Sequence, residues 1–262
     1  SDLDGTLLAP NHQLSEYSKQ ALKELHQRGY TFIFATGRHH IDVAGIRETV
    51  GIPAYMITAN GARVHNPDDT EIFSRDLPAH LVQQVIDQVK EDDSLYLHIY
   101  TSDKWYLNRE DNELNQYHDE SGFSYELFDV NDAPVNNVSK IFITQTIRNH
   151  DYMATIETKL NRLFGHETSI AFSTPWCLEV MGPHVSKGDA LKMVAESLNL
   201  RLDNCIAFGD GMNDVEMLSM AGKGLVMQTA HARVFQALPQ LERIGSNADD
   251  AVARYLRQHL IS

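Results

Sequence analysis

Two stretches of the chain alternate short apolar runs with amphipathic helical patterns, and about a hundred residues without that rhythm separate them. Tyr30-Thr31-Phe32-Ile33-Phe34-Ala35 is apolar without period-two alternation, the pattern of a strand buried on both faces. It follows a helix that Ser15 can cap, in which Tyr17, Ala21, Leu22 and Leu25 share one face before Gly29. A second helix, His40 to Val50, stops at Gly51 before Pro53 and leads into the run Tyr55 to Thr58. The last third repeats the rhythm: a helix from Lys187 to Leu198, the run Cys205 to Phe208, a short helix ending at Ala221, the run Leu225 to Met227, and a helix from Asp249 to His259. Such βαβ alternation predicts an α/β fold, a Rossmann-like parallel sheet with helices on both faces. Between Leu77 and Gly182 the pattern differs. Leu81, Val82, Val85, Ile86 and Val89 mark one helix, and Tyr152, Ile156, Leu160 and Leu163 mark another. Strands are predicted at 95–100, 105–107, 139–144, 169–173 and 177–180, which reads as an α+β module set into the α/β part, with joints near Leu77 and Gly182-Pro183.

With 262 residues, 42% of them apolar, the chain can build a sizeable core, and 36 acidic against 22 basic residues leave a formal charge of −14. A polyanion repels such a surface unless basic residues are concentrated somewhere, and no such patch stands in the sequence, so neither nucleic acid nor an anionic membrane is an expected partner. No apolar run approaches the roughly 20 residues that cross a bilayer. Cys177 and Cys205 stand outside any CxxC spacing, which excludes a disulfide framework and a structural zinc knuckle and reads as two core thiols in a reducing cytoplasm. No signal peptide is evident, and Ser1 opens the chain without a methionine, so a few leading residues are expected to be missing.

Four local signals fall where ligands collect in an open parallel sheet, at strand ends and helix starts. Asp2-Leu3-Asp4-Gly5-Thr6 places two carboxylates before a Gly-Thr turn, and Gly209-Asp210-Gly211-Met212-Asn213-Asp214 adds two more after the run Cys205 to Phe208. Four acids in one place raise one another's pKa unless a cation neutralises them, and oxygen-only ligands suit a hard ion, Mg²⁺ before Ca²⁺. Thr36-Gly37-Arg38 offers a hydroxyl and free backbone N–H groups to an anion, and Lys187 at a helix start can lend a point charge to a phosphate. Singly, each is also an ordinary turn or surface group; four in such placement exceed coincidence. Other motifs fail on inspection. The GxGxxG-like stretch at Gly209 has Asp214 where the third glycine belongs, and Gly222-Lys223-Gly224 lacks the Ser/Thr and upstream glycine of a P-loop. Asp2 and Asp4 lead into Gly5 with no third EF-hand ligand in register.

In chain order, Asp2-Leu3-Asp4-Gly5-Thr6, Thr36-Gly37-Arg38, Lys187 and Gly209 to Asp214 resemble the four motifs of the haloacid dehalogenase (HAD) superfamily of phosphatases. The insert after the second motif, with Ile57-Thr58-Ala59-Asn60-Gly61-Ala62 and Leu178-Glu179-Val180, is similar to the Cof-type branch, subclass IIB. The resemblance spans essentially the whole chain. It implies a HAD core from residues 1–76 and 183–262, an inserted cap of the C2B type from 77–182, and a buried strand leading into Asp2 that the sequence lacks. It also implies Mg²⁺-dependent hydrolysis of small phosphorylated metabolites, pyridoxal 5′-phosphate and sugar phosphates first, through an aspartyl phosphate.

Carried over residue by residue, the resemblance makes Asp2 the nucleophile and Asp4 the general acid and base. Mg²⁺ falls to a carboxylate oxygen of Asp2, the main-chain carbonyl of Asp4, and Asp210. The phosphoryl oxygens fall to Thr36, the amides of Leu3 and Gly37, Lys187 and Asn213. Asp214 would orient Lys187 or a metal-bound water. Arg38, Asn60 and Glu179 are candidates for substrate contact or support. Asn60-Gly61 reads equally as a hairpin turn, Glu179 as a strand-edge carboxylate, and His39 and His40 as a surface helix start. Trp105, Tyr106 and Trp176 read as core of the insert, or as aromatic faces for a ring-shaped substrate. Two rivals stay open. One is a phosphomutase on the same fold. The other is a phospho-aspartate signalling module, against which Asp4 argues, since a base there speeds hydrolysis, and which has no use for the insert.

Overall fold

A computed structural model describes residues 1–111, 114 and 122–261. Ser15 starts helix α1 (Glu16–Gln27) by accepting the Ser18 N–H, and Ala21, Leu22 and Leu25 form its buried stripe, as their spacing predicts. The run that follows pairs only over β1 (Phe32–Ala35); Tyr30 and Thr31 stand exposed ahead of it. Helix α2 (His40–Val50) ends at Gly51 in the left-handed region, φ 68°, and β2 (Ala54–Thr58) returns parallel to β1 with Phe32 opposite Ala54. Two short antiparallel strands, β3 (Arg63–His65) and β4 (Glu71–Ser74), extend that edge. Neither carries an apolar run of strand length, so the sequence pattern passes over them.

Among the described residues, the middle of the chain forms a second sheet with two helices on one face. Its elements are α3 (Ala79–Asp87), β5 (Leu95–Tyr100), β6 (Trp105–Leu107), β7 (Tyr125–Leu127), β8 (Lys140–Gln145), α4 (His150–Phe164), β9 (Ser169–Thr174) and β10 (Cys177–Met181). The strands lie in the order β7-β6-β5-β8-β10-β9, antiparallel except between β6 and β7. Period-two alternation makes the sheet two-faced. Leu97, Ile99, Ile141, Ile143, Leu178 and Val180 pack under α3 and α4, while Tyr100, Trp105 and Phe142 gather in a separate aromatic cluster on the other side. The chain enters and leaves this region side by side: a Cβ on Gly182 would stand 2.5 Å from the Asp76 carbonyl oxygen.

The last third returns to the first sheet through α5 (Lys187–Ser197), β11 (Ile206–Gly209), α6 (Val215–Met220), β12 (Lys223–Met227), α7 (Ala232–Ala237), β13 (Glu242–Ile244) and α8 (Ala251–Leu256). The last helix is regular only to Leu256 and widens into a turn over Arg257–Ile261. β11, β12 and β13 are parallel. Ser1 and Asp2 join the two halves: the Ser1 ammonium donates to the Ile33 carbonyl, Ala35 N–H to Ser1, and Asp2 N–H to Phe208. Strand alternation then sorts the core. Phe34, Met56, Phe208, Leu225 and Met227 pack with α1, α2 and α8, and Ala35, Ile57, Ala207 and Val226 pack with α5, α6 and α7. Each fully buried Leu or Phe of this kind contributes about 1.5–3 kcal/mol. No helix among the described residues is long and apolar enough to cross a membrane.

Candidate active site

The carboxyl ends of β1 and β11 flank Asp2, which is 5% exposed. Lys187, the first residue of α5, donates to Asp2 Oδ1 at 2.6 Å and to Asp214 Oδ1 at 2.7 Å. Ser186 fixes that helix start by accepting the Asp189 N–H. The other Asp214 oxygen accepts the N–H groups of Asp210 and Gly211 at 3.0 and 2.8 Å, closing the loop after β11, and Thr6 Oγ1 donates to Asp210 Oδ1 at 2.6 Å. Leu3, fully buried, anchors the first turn through its carbonyl, which accepts from Thr6 and Leu8.

One carboxylate oxygen from each of Asp2, Asp210 and Asp214 lies within 4.8 Å of the others. Burial pushes Asp2 well above the usual carboxylate range despite Lys187, and burial together with Asp214 pushes Asp210 up to about 6. Three carboxylates cluster with one ammonium, which pairs with only two of them, and every donor is oxygen, so the group fits a hard divalent cation such as Mg²⁺.

Asp4 departs from the expectation of four acids in one place. Its carboxylate accepts Arg38 Nε at 2.7 Å and Nη2 at 2.5 Å and lies 3.0 Å from His12 Nδ1. The backbone turns at Leu3, so the two side chains part. Burial would raise the Asp4 pKa, but His12 and Arg38 outweigh it and hold it at about 2.

Thr36, buried after β1, accepts the Arg38 N–H on Oγ1 at 3.1 Å, and its carbonyl accepts the Asn60 N–H at 3.0 Å. Asn60 sits at φ 58° in the connection Ala59–Gly61 between β2 and β3, so it forms the hairpin turn. Its side chain accepts from Asn213 Nδ2 at 2.9 Å and donates to Glu179 Oε2 at 2.6 Å, and that oxygen also accepts Lys140 Nζ at 2.5 Å. A Cβ on Gly37 would stand 3.1 Å from Asn60 Oδ1, 3.2 Å from Glu179 Oε1 and 3.6 Å from Lys140 Nζ. The second sheet thus lays a buried ion pair on the Thr36-Gly37-Arg38 turn. Glu179 is no strand-edge carboxylate, because β10 runs between β8 and β9.

His39 is not a surface residue either. It caps α2 by accepting the Ile41 N–H, its Nε2 lies 3.0 Å from the Thr101 carbonyl oxygen, and burial drives its pKa down to about 3. His40 is half-buried. Trp105 is core as expected, whereas Tyr106 and Trp176 are half-buried, Trp176 in the β9–β10 turn. Cys177 and Cys205 are free but half-buried rather than core.

The profile of the haloacid dehalogenase-like hydrolases matches residues 1–256. The chain belongs to that family. It is 40% identical over 259 residues to the HMP-PP phosphatase of Cronobacter sakazakii, a match covering 99% of this chain and 94% of that one. A haloacid dehalogenase-like hydrolase from B. subtilis superposes with a TM-score of 0.83 at 25% identity, over 99% of this chain and 98% of that one. A subclass IIB sugar phosphatase superposes with a TM-score of 0.84 at 18% identity, over 100% and 98%, a likeness of fold alone. The hydrolase is an enzyme, a phosphatase.

Among the residues beside the hydrolase's expected set that stand in direct contact with it are Thr6 on Asp210, His12 on Asp4 and Lys140 on Glu179. Thr6 lies inside the first motif; His12, eight residues beyond Asp4, and Lys140, 39 residues before Glu179, carry no local signal. Gly5, at φ 83°, has a further constraint, since a Cβ there would stand 2.5 Å from Asp210 Oδ2. Gly5→Ala is expected to displace that carboxylate and weaken divalent-ion binding about 10- to 100-fold, read from the Mg²⁺ concentration at half-maximal activity. An unchanged Mg²⁺ requirement would remove Asp210 from the metal site.

Proposed function

We propose that this phosphatase hydrolyses small phosphorylated metabolites by phosphoryl transfer to Asp2, with Mg²⁺ as cofactor. The observation that carries the reading is Asp2 itself, a buried carboxylate held by Lys187 at the meeting point of all four motifs. Asp2 forms the bond to phosphorus as the P–O bond to the leaving group breaks, and water later releases phosphate from the aspartyl phosphate. Asp2 and Asp210 would hold Mg²⁺, with the Asp4 carbonyl as the third protein ligand. When bound, Mg²⁺ supplies charge that screens the anionic nucleophile from the anionic phosphate. Lys187, Thr36, Asn213 and the amides of Leu3 and Gly37 bind the phosphoryl oxygens. Asp214 is a positioning residue that holds Lys187 and the 209–214 loop.

Asp4 exchanges the proton of the leaving group and of the hydrolytic water. A carboxyl held at about 2 by His12 and Arg38 is ionised and only weakly basic. Both halves of that role require Arg38 and His12 to release it. Residues 77–182 act as the cap over a core of 1–76 and 183–262, since Lys140 and Glu179 close on the phosphate turn while the polypeptide crosses at Asp76 and Gly182. Asn60 and Glu179 then couple cap and core beside the phosphoryl group. HMP-PP stands first among substrates, because a relative of that activity is 40% identical; pyridoxal 5′-phosphate and sugar phosphates follow. Phosphate release from these three and from p-nitrophenyl phosphate is expected to stop on chelation with EDTA and to return with Mg²⁺. Full activity in EDTA would refute the metal assignment.

A further inference from the structure

Tyr100, Lys140, Phe142, Glu179 and Met181 share one face of the second sheet, because Lys140 stands in register between Tyr100 and Met181, and Glu179 stands opposite Phe142. Two of them are charged where charge is costly: Lys140 is 3% exposed and Glu179 2%. The Lys140 ammonium lies 4.9 Å from the centre of the Tyr100 ring and 4.5 Å from that of Phe142, and it donates to Glu179 Oε2. The same oxygen accepts Asn60 Nδ2. A carboxylate only accepts, so the Asn60 amide has to turn its nitrogen to Glu179, and that nitrogen also lies 3.8 Å from Met181 Sδ. Asn60 Oδ1 then faces Asn213, which has to present Nδ2 to it. Asn213 Oδ1 is left on the side of Gly211, where a Cβ on that glycine would stand 2.3 Å away. The turn that carries Asn60 is itself fixed, since Asn60 N–H donates to the Thr36 carbonyl and Ala59 N–H to that of Arg38. A polarity set by one buried cation in the second sheet thus passes through two amides to the loop after β11.

We propose that Lys140 is a positioning residue for phosphoryl transfer: it pins Glu179 and, through Asn60, holds the Asn213 amide with its nitrogen as donor. This rests on the reading above, in which Asn213 binds the phosphoryl oxygens. An amide nitrogen carries two hydrogens; Asn60 takes one, and the other serves the substrate. Stability alone gives no reason for the ion pair, because apolar side chains of similar volume usually serve a buried position as well or better. What apolar side chains cannot supply is direction. Without the ammonium a buried carboxyl favours its neutral form, which donates as well as accepts, so both amides are free to turn and Asn213 can offer its oxygen where a donor is needed.

The test is a double-mutant cycle of Lys140→Met and Asn213→Ala, read as kcat/KM on p-nitrophenyl phosphate with melting temperatures from the same preparations. Lys140→Met is expected to lower kcat/KM about tenfold when Asn213 is present and less than about twofold when it is already alanine. The same loss in both backgrounds shows that Lys140 does not act through Asn213 and overturns the proposal. Because Lys140→Met strands a buried carboxyl and can fail to fold, Lys140→Met/Glu179→Met is measured beside it. Apolar chains of similar length replace the pair there, so wild-type melting with the same tenfold loss is expected, and full activity in that folded protein overturns the proposal. Calorimetric binding of inorganic phosphate to Asp2→Asn, with and without Lys140→Met, reads the amide without turnover. Phosphate binding weakened about tenfold by loss of Lys140 supports the positioning role; if Asp2→Asn still hydrolyses the ester, it is the nucleophile assignment that falls. Binding that ignores Lys140 overturns the positioning role whatever the activity.

Discussion

Asp2→Asn is expected to lower kcat on the order of 10⁴- to 10⁶-fold while leaving the fold intact, because under the proposed mechanism it removes the nucleophile and little else. Asparagine matches the shape of aspartate, and Lys187 keeps its bond to Asp214. The Asp2 charge is itself costly in place, since burial raises its pKa well above the usual range, so its loss does not cost stability. Activity and melting temperature measured on the same preparation separate this from a structural role. A variant that retains a tenth of the wild-type rate would show that phosphorus is not attacked by Asp2. At about 1.4 kcal/mol per decade, the expected loss corresponds to about 5–8 kcal/mol of barrier.

Lys187→Met is expected to cost both activity and stability. The ammonium is 1% exposed; burial works against its charge, and Asp2 and Asp214 outweigh that and raise its pKa. Without it, Asp2, Asp210 and Asp214 face one another with no cation among the cluster, a loss of about 3–5 kcal/mol. At about 2–4 °C per kcal/mol for a chain of this size, the melting temperature falls by about 6–20 °C. The sign of the pH dependence follows. Carboxyls whose folded pKa lies above their unfolded value of 3.8 bind more protons folded than unfolded, so stability falls as pH rises above 3.8. The variant should therefore lose most at pH 8 and least near pH 4, with Mg²⁺ restoring part of the deficit. Equal melting temperatures for variant and wild type across that range would mean that Lys187 does not neutralise the cluster.

How far the site could be read from the chain varies residue by residue. Thr36, Lys187, Asp210 and Asp214 each follow a strand or open a helix, and the topology of a parallel sheet brings those ends together beside Asp2, which bridges to Ala35. Asp4 shares that placement, yet its side chain turns to Arg38 and His12, since the direction of a residue in a tight turn is not given by its spacing. Short strands such as Arg63–His65 and Glu242–Ile244 carry too few residues for a period to show, and hydrogen bonding to a formed sheet makes them strands. The burial of His39 and the place of Glu179 within its sheet are set by partners far along the chain.

The sequence by itself determined the α/β rhythm, the acidic and Thr-Gly-Arg motifs, and the break in pattern between Leu77 and Gly182, because backbone periodicity and local turn chemistry act over a few residues. Only the tertiary structure decided which three carboxylates cluster and that Lys187 pairs with two of them, that Lys140 and Glu179 lie on the Gly37 turn, and that His150 and His231 meet. Those contacts join residues dozens to two hundred positions apart, and the energies that choose them, burial of charge and pairing of hydrogen-bond donors with acceptors, exist only once the two sheets have packed.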